Sequence, residues 1–174
     1  MTIAGTSLNA DFPGVSVPTD FTLAFWLKPD DDASAWEYWI SYGDSYYLRV
    51  DPTNEAAIFS IWDGTYYDLI EVDDITGITA WRHYVISFDG TAHQATVWIS
   101  TESSFGDIDD GTSPITYADV TGARQVTSYK FNIGNKSDGT VFIDGYVAQP
   151  IVFNRKINAI EAEEIYTHGI TGAD

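Results

Sequence analysis

Trp81-Arg82-His83-Tyr84-Val85-Ile86-Ser87-Phe88-Asp89-Gly90, followed by Ala95-Thr96-Val97-Trp98-Ile99, reads as two antiparallel strands joined over Asp89-Gly90-Thr91. Asp-Gly between apolar, β-branched runs is a strong local hairpin signal. Alternation sends Tyr84, Ile86 and Phe88 to one face and His83, Val85 and Ser87 to the other. On the second strand Ala95, Val97 and Ile99 alternate with Thr96 and Trp98. Both faces carry bulk. That pattern suits a central pair in a two-layer sandwich, with the rest of the chain packed around it.

Outward from the hairpin, short strand-like runs recur with turn signals every 8–12 residues, the spacing of an all-β sandwich. Residues 3–9 and Phe21-Thr22-Leu23-Ala24-Phe25-Trp26-Leu27-Lys28 come first, the latter stopped by Pro29. Runs over 36–41, 46–50, 57–62 and 66–70 follow, separated by turns at Tyr42-Gly43-Asp44-Ser45, Asp51-Pro52-Thr53-Asn54 and Asp63-Gly64. Pro52 cannot donate to a ladder, which supports its turn. Residues 101–121 are weakly patterned, and a stretch of that length in a compact domain is usually functional or mobile. Strands are expected again over 129–133 and within 141–153. Asn158, with Glu161 three residues on, has the form of a capping box and predicts the one helix, which Gly169 would end.

Composition bounds the function. The 174 residues predict a single domain over 1–174, large enough to bury a core unaided. There is no cysteine, which excludes disulfides, thiolate metal sites and cysteine nucleophiles. No apolar run is long enough to span a membrane, and residues 1–10 lack the pattern of a signal peptide. Twenty-six acidic against eight basic residues give a formal charge of −18, so nucleic acid and anionic lipid are expected to be repelled. The same acidity reads either as a solubility coat or as capacity for divalent cations.

Several segments are more specific. Trp81-Arg82-His83 through Phe88-Asp89-Gly90 resembles the Trp-x-His…Tyr/Phe-Asp-Gly signature of laminin-G-like domains in the concanavalin A-like lectin/glucanase superfamily. Phe21 to Pro29 is similar to that family's second strand, and Phe131-Asn132-Ile133-Gly134-Asn135 to its Ile-Gly segment. Asp144-Gly145-Tyr146-Val147-Ala148-Gln149-Pro150-Ile151-Val152-Phe153-Asn154-Arg155, then Ala162-Glu163-Glu164-Ile165, resembles its C-terminal ending. The resemblance implies a jelly-roll sandwich of two curved antiparallel sheets with one short C-terminal helix. It also departs from the family: Ala148-Gln149 stands where the family often has Asp-Glu, which weakens any calcium or structural carboxylate role that the resemblance implies there. The family spans lectins, adhesion modules, hydrolase appendages and viral surface proteins, so the fold alone does not fix the function.

Catalysis finds little footing. A retaining glycosidase needs two carboxyls about 5–5.5 Å apart. The one strand-like acidic cluster, Glu71-Val72-Asp73-Asp74, lacks the second glutamate of the laminarinase-like relatives. No Gly-x-Ser-x-Gly elbow accompanies the three histidines, and none of these has zinc-ligand spacing. His83 reads as a core or sheet-face residue with a hydrogen-bond partner, and His93 and His168 as surface residues.

Aromatic residues crowd 36–67. Trp39, Leu48 and Phe59 are expected in the core, and Trp36, Tyr38, Tyr46, Trp62, Tyr66 and Tyr67 on an outer or groove face. Flat rings stack on the C–H faces of sugars, and tyrosine hydroxyls add directed hydrogen bonds. The competing reading is that the same rings fill the core or a protein contact. Asp107, Asp109 and Asp110, with Gly111, alternate carboxylates as hard-cation loops do, and the resemblance implies calcium at such a rim, against a merely solvated loop. Asn135, Asp138 and Asp144 form a weaker second group. The expected function is non-catalytic carbohydrate recognition, calcium-assisted through the Asp107 loop. The alternative is an adhesion or virion-decoration module using the same face for protein contacts, a homo-oligomer included. An extracellular, cell-surface or virion-surface location fits either.

Overall fold

The hairpin forms from Arg82–Asp89 and Gln94–Thr101, in register from Arg82 opposite Thr101 to Asp89 opposite Gln94. Its turn is closed by side chains. The Asp89 carboxylate accepts the N–H groups of Thr91 at 3.0 Å and Ala92 at 2.8 Å, a local arrangement that aspartate favours. The Lys156 ammonium, bonded to the same carboxylate, is the main reason the Asp89 carboxyl lies below its usual range.

The computed structural model describes residues 3–4, 8–11, 20–29, 36–42, 46–51, 53, 56–62, 67–74, 79–92, 94–106, 115–117, 130–134 and 145–168, without the side chains of 3–4, 8–11, 29, 42, 61–62, 67–74, 115–117 and 130–131. The strands are β1 (Ile3–Ala4), β2 (Leu8–Asp11), β3 (Phe21–Pro29), β4 (Glu37–Tyr42), β5 (Tyr46–Asp51), β6 (Ala56–Trp62), β7 (Tyr67–Asp74), β8 (Arg82–Asp89), β9 (Gln94–Thr101), β10 (Ile115–Tyr117), β11 (Lys130–Ile133) and β12 (Gly145–Phe153), before helix α1 (Ala159–His168). They form two antiparallel six-stranded sheets, β1-β12-β3-β8-β9-β10 and β2-β11-β4-β5-β6-β7. This is the expected jelly-roll sandwich, with β8 and β9 inside the first sheet. The stretch 3–9, read as one strand, is divided between the sheets, and the weakly patterned 101–121 contributes β10.

The core lies between the sheets. Phe21, Leu23, Phe25 and Leu27 on β3, with Tyr84, Ile86 and Phe88 on β8, face Trp39, Tyr46, Leu48 and Phe59. Ring contacts cross the interface from Phe21 to Tyr46 at 4.4 Å, from Tyr46 to Phe88 at 5.5 Å and from Trp39 to Tyr84 at 6.4 Å. Such pairs add to the burial of their area.

The bulk on the second face of the hairpin has a separate cause. Ala24, Val85 and Trp98 pack under Ile157 and Ala162, with Phe105, Ile151 and Ile165 around them, so α1 covers this face. Polar groups pin its approach: Thr22 Oγ1 donates to the Arg155 carbonyl at 2.9 Å, and Ser87 Oγ accepts the Ile157 N–H at 3.0 Å. The capping box closes as predicted. Asn158 Oδ1 accepts the Glu161 N–H at 3.1 Å, and Glu161 Oε2 accepts the Asn158 N–H at 3.0 Å. Asn158→Ala is expected to cost about 1 kcal/mol in urea unfolding, because one N-terminal donor loses its acceptor.

Candidate functional site

With α1 on the first sheet, the outer face of the second becomes the place to look. A bulge at Trp39 organises it. Tyr38 pairs with Arg49 and Ile40 with Leu48, so Trp39 is the extra residue, and both Trp39 and Ile40 turn into the core. The opposite face then carries Tyr38 and Ser41 from β4, Tyr47 and Arg49 from β5, Ser60 from β6 and Asn132 from β11.

Arg49 is the hub. Its Nε donates to Ser60 Oγ at 2.9 Å and its NH1 to Tyr38 Oη at 3.3 Å. The guanidinium carbon lies 4.4 Å from the Trp36 ring centroid and 5.9 Å from that of Tyr38. Arginine over an indole is favourable, the more so where water is excluded. Tyr38 meets Tyr47 edge-on at 5.4 Å. Beside them Asn132 Nδ2 donates to Ser41 Oγ at 2.9 Å, while the buried Asn132 Oδ1 has no hydrogen-bond partner among the described residues. Tyr38, Ser41, Tyr47, Arg49, Ser60 and Asn132 are buried, but Trp36 remains 39% exposed. The result is an accessible indole braced by a buried cation, which hydroxyls of the same sheet face hold in place. That arrangement can stack on a flat apolar face.

The expected ring set divides. Trp36 and Tyr38 meet at Arg49. Tyr46 does not reach this face: it is 1% exposed, in the core between Phe21 and Phe88. It shares the parity of Leu48 two residues on, so a core Leu48 requires a core Tyr46, and Tyr47 takes the outward position. Trp62 and Tyr67 pair opposite each other, and their side chains, like the whole of Tyr66, lie outside the described residues. So do Asp107, Asp109 and Asp110, and the weaker group Asn135, Asp138 and Asp144. Among the described residues no three His, Asp or Glu side chains gather to hold a metal.

Arg49, Tyr47, Ser41, Ser60 and Asn132 escaped the sequence reading. A signal existed, since Arg49 is a lone charge between Leu48 and Val50 in a strand otherwise fit for burial. Such a residue demands partners across the sheet. His83 is buried as expected, on the helix side between Trp26 at 4.9 Å and Tyr166 at 5.7 Å, but among the described residues its Nδ1 has no hydrogen-bond partner. His168 is exposed at the end of α1. His93 lies outside the described residues.

Residues 4–165 match a laminin-G-like family model described as concanavalin A-like lectin/glucanases superfamily. No curated protein matches the chain. Solved structures share the fold at low identity. The botulinum neurotoxin serotype G binding domain is 16% identical with a TM-score of 0.67, the match covering 99% of this chain and 42% of that one. The CBM40 domain of the Ruminococcus gnavus IT-sialidase is 9% identical with a TM-score of 0.63, covering 95% of this chain and 98% of that one. The heptameric SAP-like pentraxin from Limulus polyphemus is 12% identical with a TM-score of 0.60, covering 97% and 81%. The chain thus spans less than half of the neurotoxin domain and nearly all of the sialidase module.

Proposed function

The chain belongs to the laminin-G-like branch of the concanavalin A-like lectin/glucanase superfamily, and on that premise we propose that it is a non-catalytic module that recognises a carbohydrate. The proposed site is the outer face of the second sheet, centred on Trp36, Tyr38 and Arg49, and Trp62, Tyr66 and Tyr67 are proposed to take part in glycan contact. The observation that carries this reading is the exposed Trp36 indole held 4.4 Å from a buried guanidinium. An aromatic ring braced in place loses little freedom on binding, which favours stacking on a sugar. The buried hydroxyls of Tyr38 and Ser60 accept hydrogen bonds from the Arg49 guanidinium and so keep the cation in place against the indole. The charge of −18 favours neutral glycans over polyanionic ones. No described helix is long and apolar enough to cross a membrane, and the module is proposed to act at a cell or virion surface.

Calcium enters through Asp107, Asp109 and Asp110, whose carboxylates are hard oxygen ligands. A glycan array run with calcium and with chelator tests both parts. Defined hits on neutral glycans that fade with chelator support recognition with the ion. Hits that persist remove calcium and keep the recognition.

One observation favours a second reading. Trp and Arg are also the residue types that anchor protein interfaces, and Trp36 stands exposed over Arg49. No array hit, together with a stable oligomer in light scattering that Trp36→Ala disperses, would make this face a protein contact.

A further inference from the structure

A second candidate lies on the opposite side of the sandwich, away from Arg49. On the outer face of the first sheet, Trp26, Trp81, Glu102, Ala148 and Gln149 line an open cavity of about 300 Å³. We propose that this cavity is a separate binding site for one neutral hexose residue, its ring held between the Trp26 and Trp81 side chains and its hydroxyls bonded to Gln149 and Glu102.

The backbone is shaped for it. β12 pairs with β3 up to Ala148 opposite Trp26, breaks register, and resumes at Ile151 opposite Ala24. Within the break Gln149 has φ 49°, and it is the one described non-glycine residue with positive φ. A glutamine pays a steric penalty there that glycine would avoid. Strained, bulged residues of this kind concentrate at functional sites, where they re-aim a side chain. Here the re-aimed group is an amide that both donates and accepts, as a sugar hydroxyl requires.

The walls are held before any ligand arrives. Trp26 rests against His83 at 4.9 Å and Tyr166 at 5.7 Å. Tyr166 Oη donates to the Thr101 carbonyl at 3.1 Å, next to Glu102. The 101–106 turn is closed by the Thr101 N–H on the Ser104 carbonyl at 3.1 Å and the Gly106 N–H on Ser100 Oγ at 2.9 Å. Preformed walls reduce the ordering cost of binding.

The lining selects the ligand. About 300 Å³ is at the small end of ligand pockets, which suits a single sugar ring and not an extended chain. Among the described residues the lining has one carboxylate and no cationic side chain, so a sugar acid would meet repulsion. Ala148 and Gln149 bring a methyl group and a neutral amide to the lining, so neither adds charge to it.

The test uses the ¹⁵N-labelled full chain, whose six tryptophans report through their indole signals. It is titrated with methyl glucoside, galactoside and mannoside, with methyl sialoside, and with tetramethylammonium. The expected result is a saturable shift of the Trp26 and Trp81 indoles with at least one hexoside, tighter than with either charged probe. Gln149→Gly and Glu102→Gln should each weaken it about tenfold, the scale of a hydrogen bond lost to a ligand. Gln149→Gly should also hold or raise the thermal midpoint, because glycine fits the backbone, so lost binding cannot be lost folding. Trp36→Ala should leave this shift intact, which separates the site from the one above. Absence of any hexoside shift, a stronger response to tetramethylammonium or sialoside, or a hexoside response unchanged in both variants would overturn the proposal.

Discussion

Between pH 7 and pH 4 the protein is expected to lose about 3 kcal/mol of stability through His83 alone. The side chain is 3% exposed, and burial lowers its pKa from 6.5 to about 4. At ~1.4 kcal/mol per pKa unit, the interval between those values amounts to about 3 kcal/mol. The sign follows from proton counting. Below pH 6.5 the unfolded chain binds a proton that the folded chain refuses until about pH 4, so stability falls as pH falls through that window. Above 6.5 and below 4 this residue contributes no slope. Asp89 and Glu161, held below their usual range chiefly by Lys156 and Arg155, lose their own contributions toward the acid end. Urea unfolding of wild type and His83→Gln at both pH values isolates the histidine. The variant should show a loss smaller by about 3 kcal/mol, and equal losses in both proteins would refute the assignment.

The second large effect is on binding. Trp36→Ala is expected to weaken the glycan found by array about thirtyfold, since an anchoring tryptophan is worth about 2 kcal/mol or more at ~1.4 kcal/mol per tenfold. Stability should change little, because the ring is 39% exposed and lies outside the core. Titration calorimetry on the variant, with urea unfolding as control, measures both. Unchanged affinity would remove Trp36 from the site.

Alternation made most of the sandwich legible. The runs Tyr84, Ile86, Phe88 and Ala95, Val97, Ile99 each keep to one face as read, which the structure makes the core face, and the Asn158–Glu161 capping box starts the helix where expected. Parity errors explain what was missed. Tyr46 was separated from Leu48 although a strand forces residues two apart onto one face. The bulge at Trp39 has no sequence marker, yet it decides that Tyr38 and Ser41 share the outer side with Arg49. Arg49 has partners on β4 and β6 that become its neighbours only when the sheet forms. The helix-side cavity was similarly hidden, because Trp26, Trp81, Glu102 and Gln149 meet from four separate stretches. The Ala148-Gln149 departure was visible, but its use depends on a break in strand register that sequence does not display.

The most direct test of glycan recognition by the second sheet is a crystal of the protein soaked with the strongest neutral glycan from the array. Difference density for a sugar ring stacked against the Trp36 indole is the predicted result. A bound glycan elsewhere on the molecule, with the Trp36 and Arg49 face empty, would contradict it.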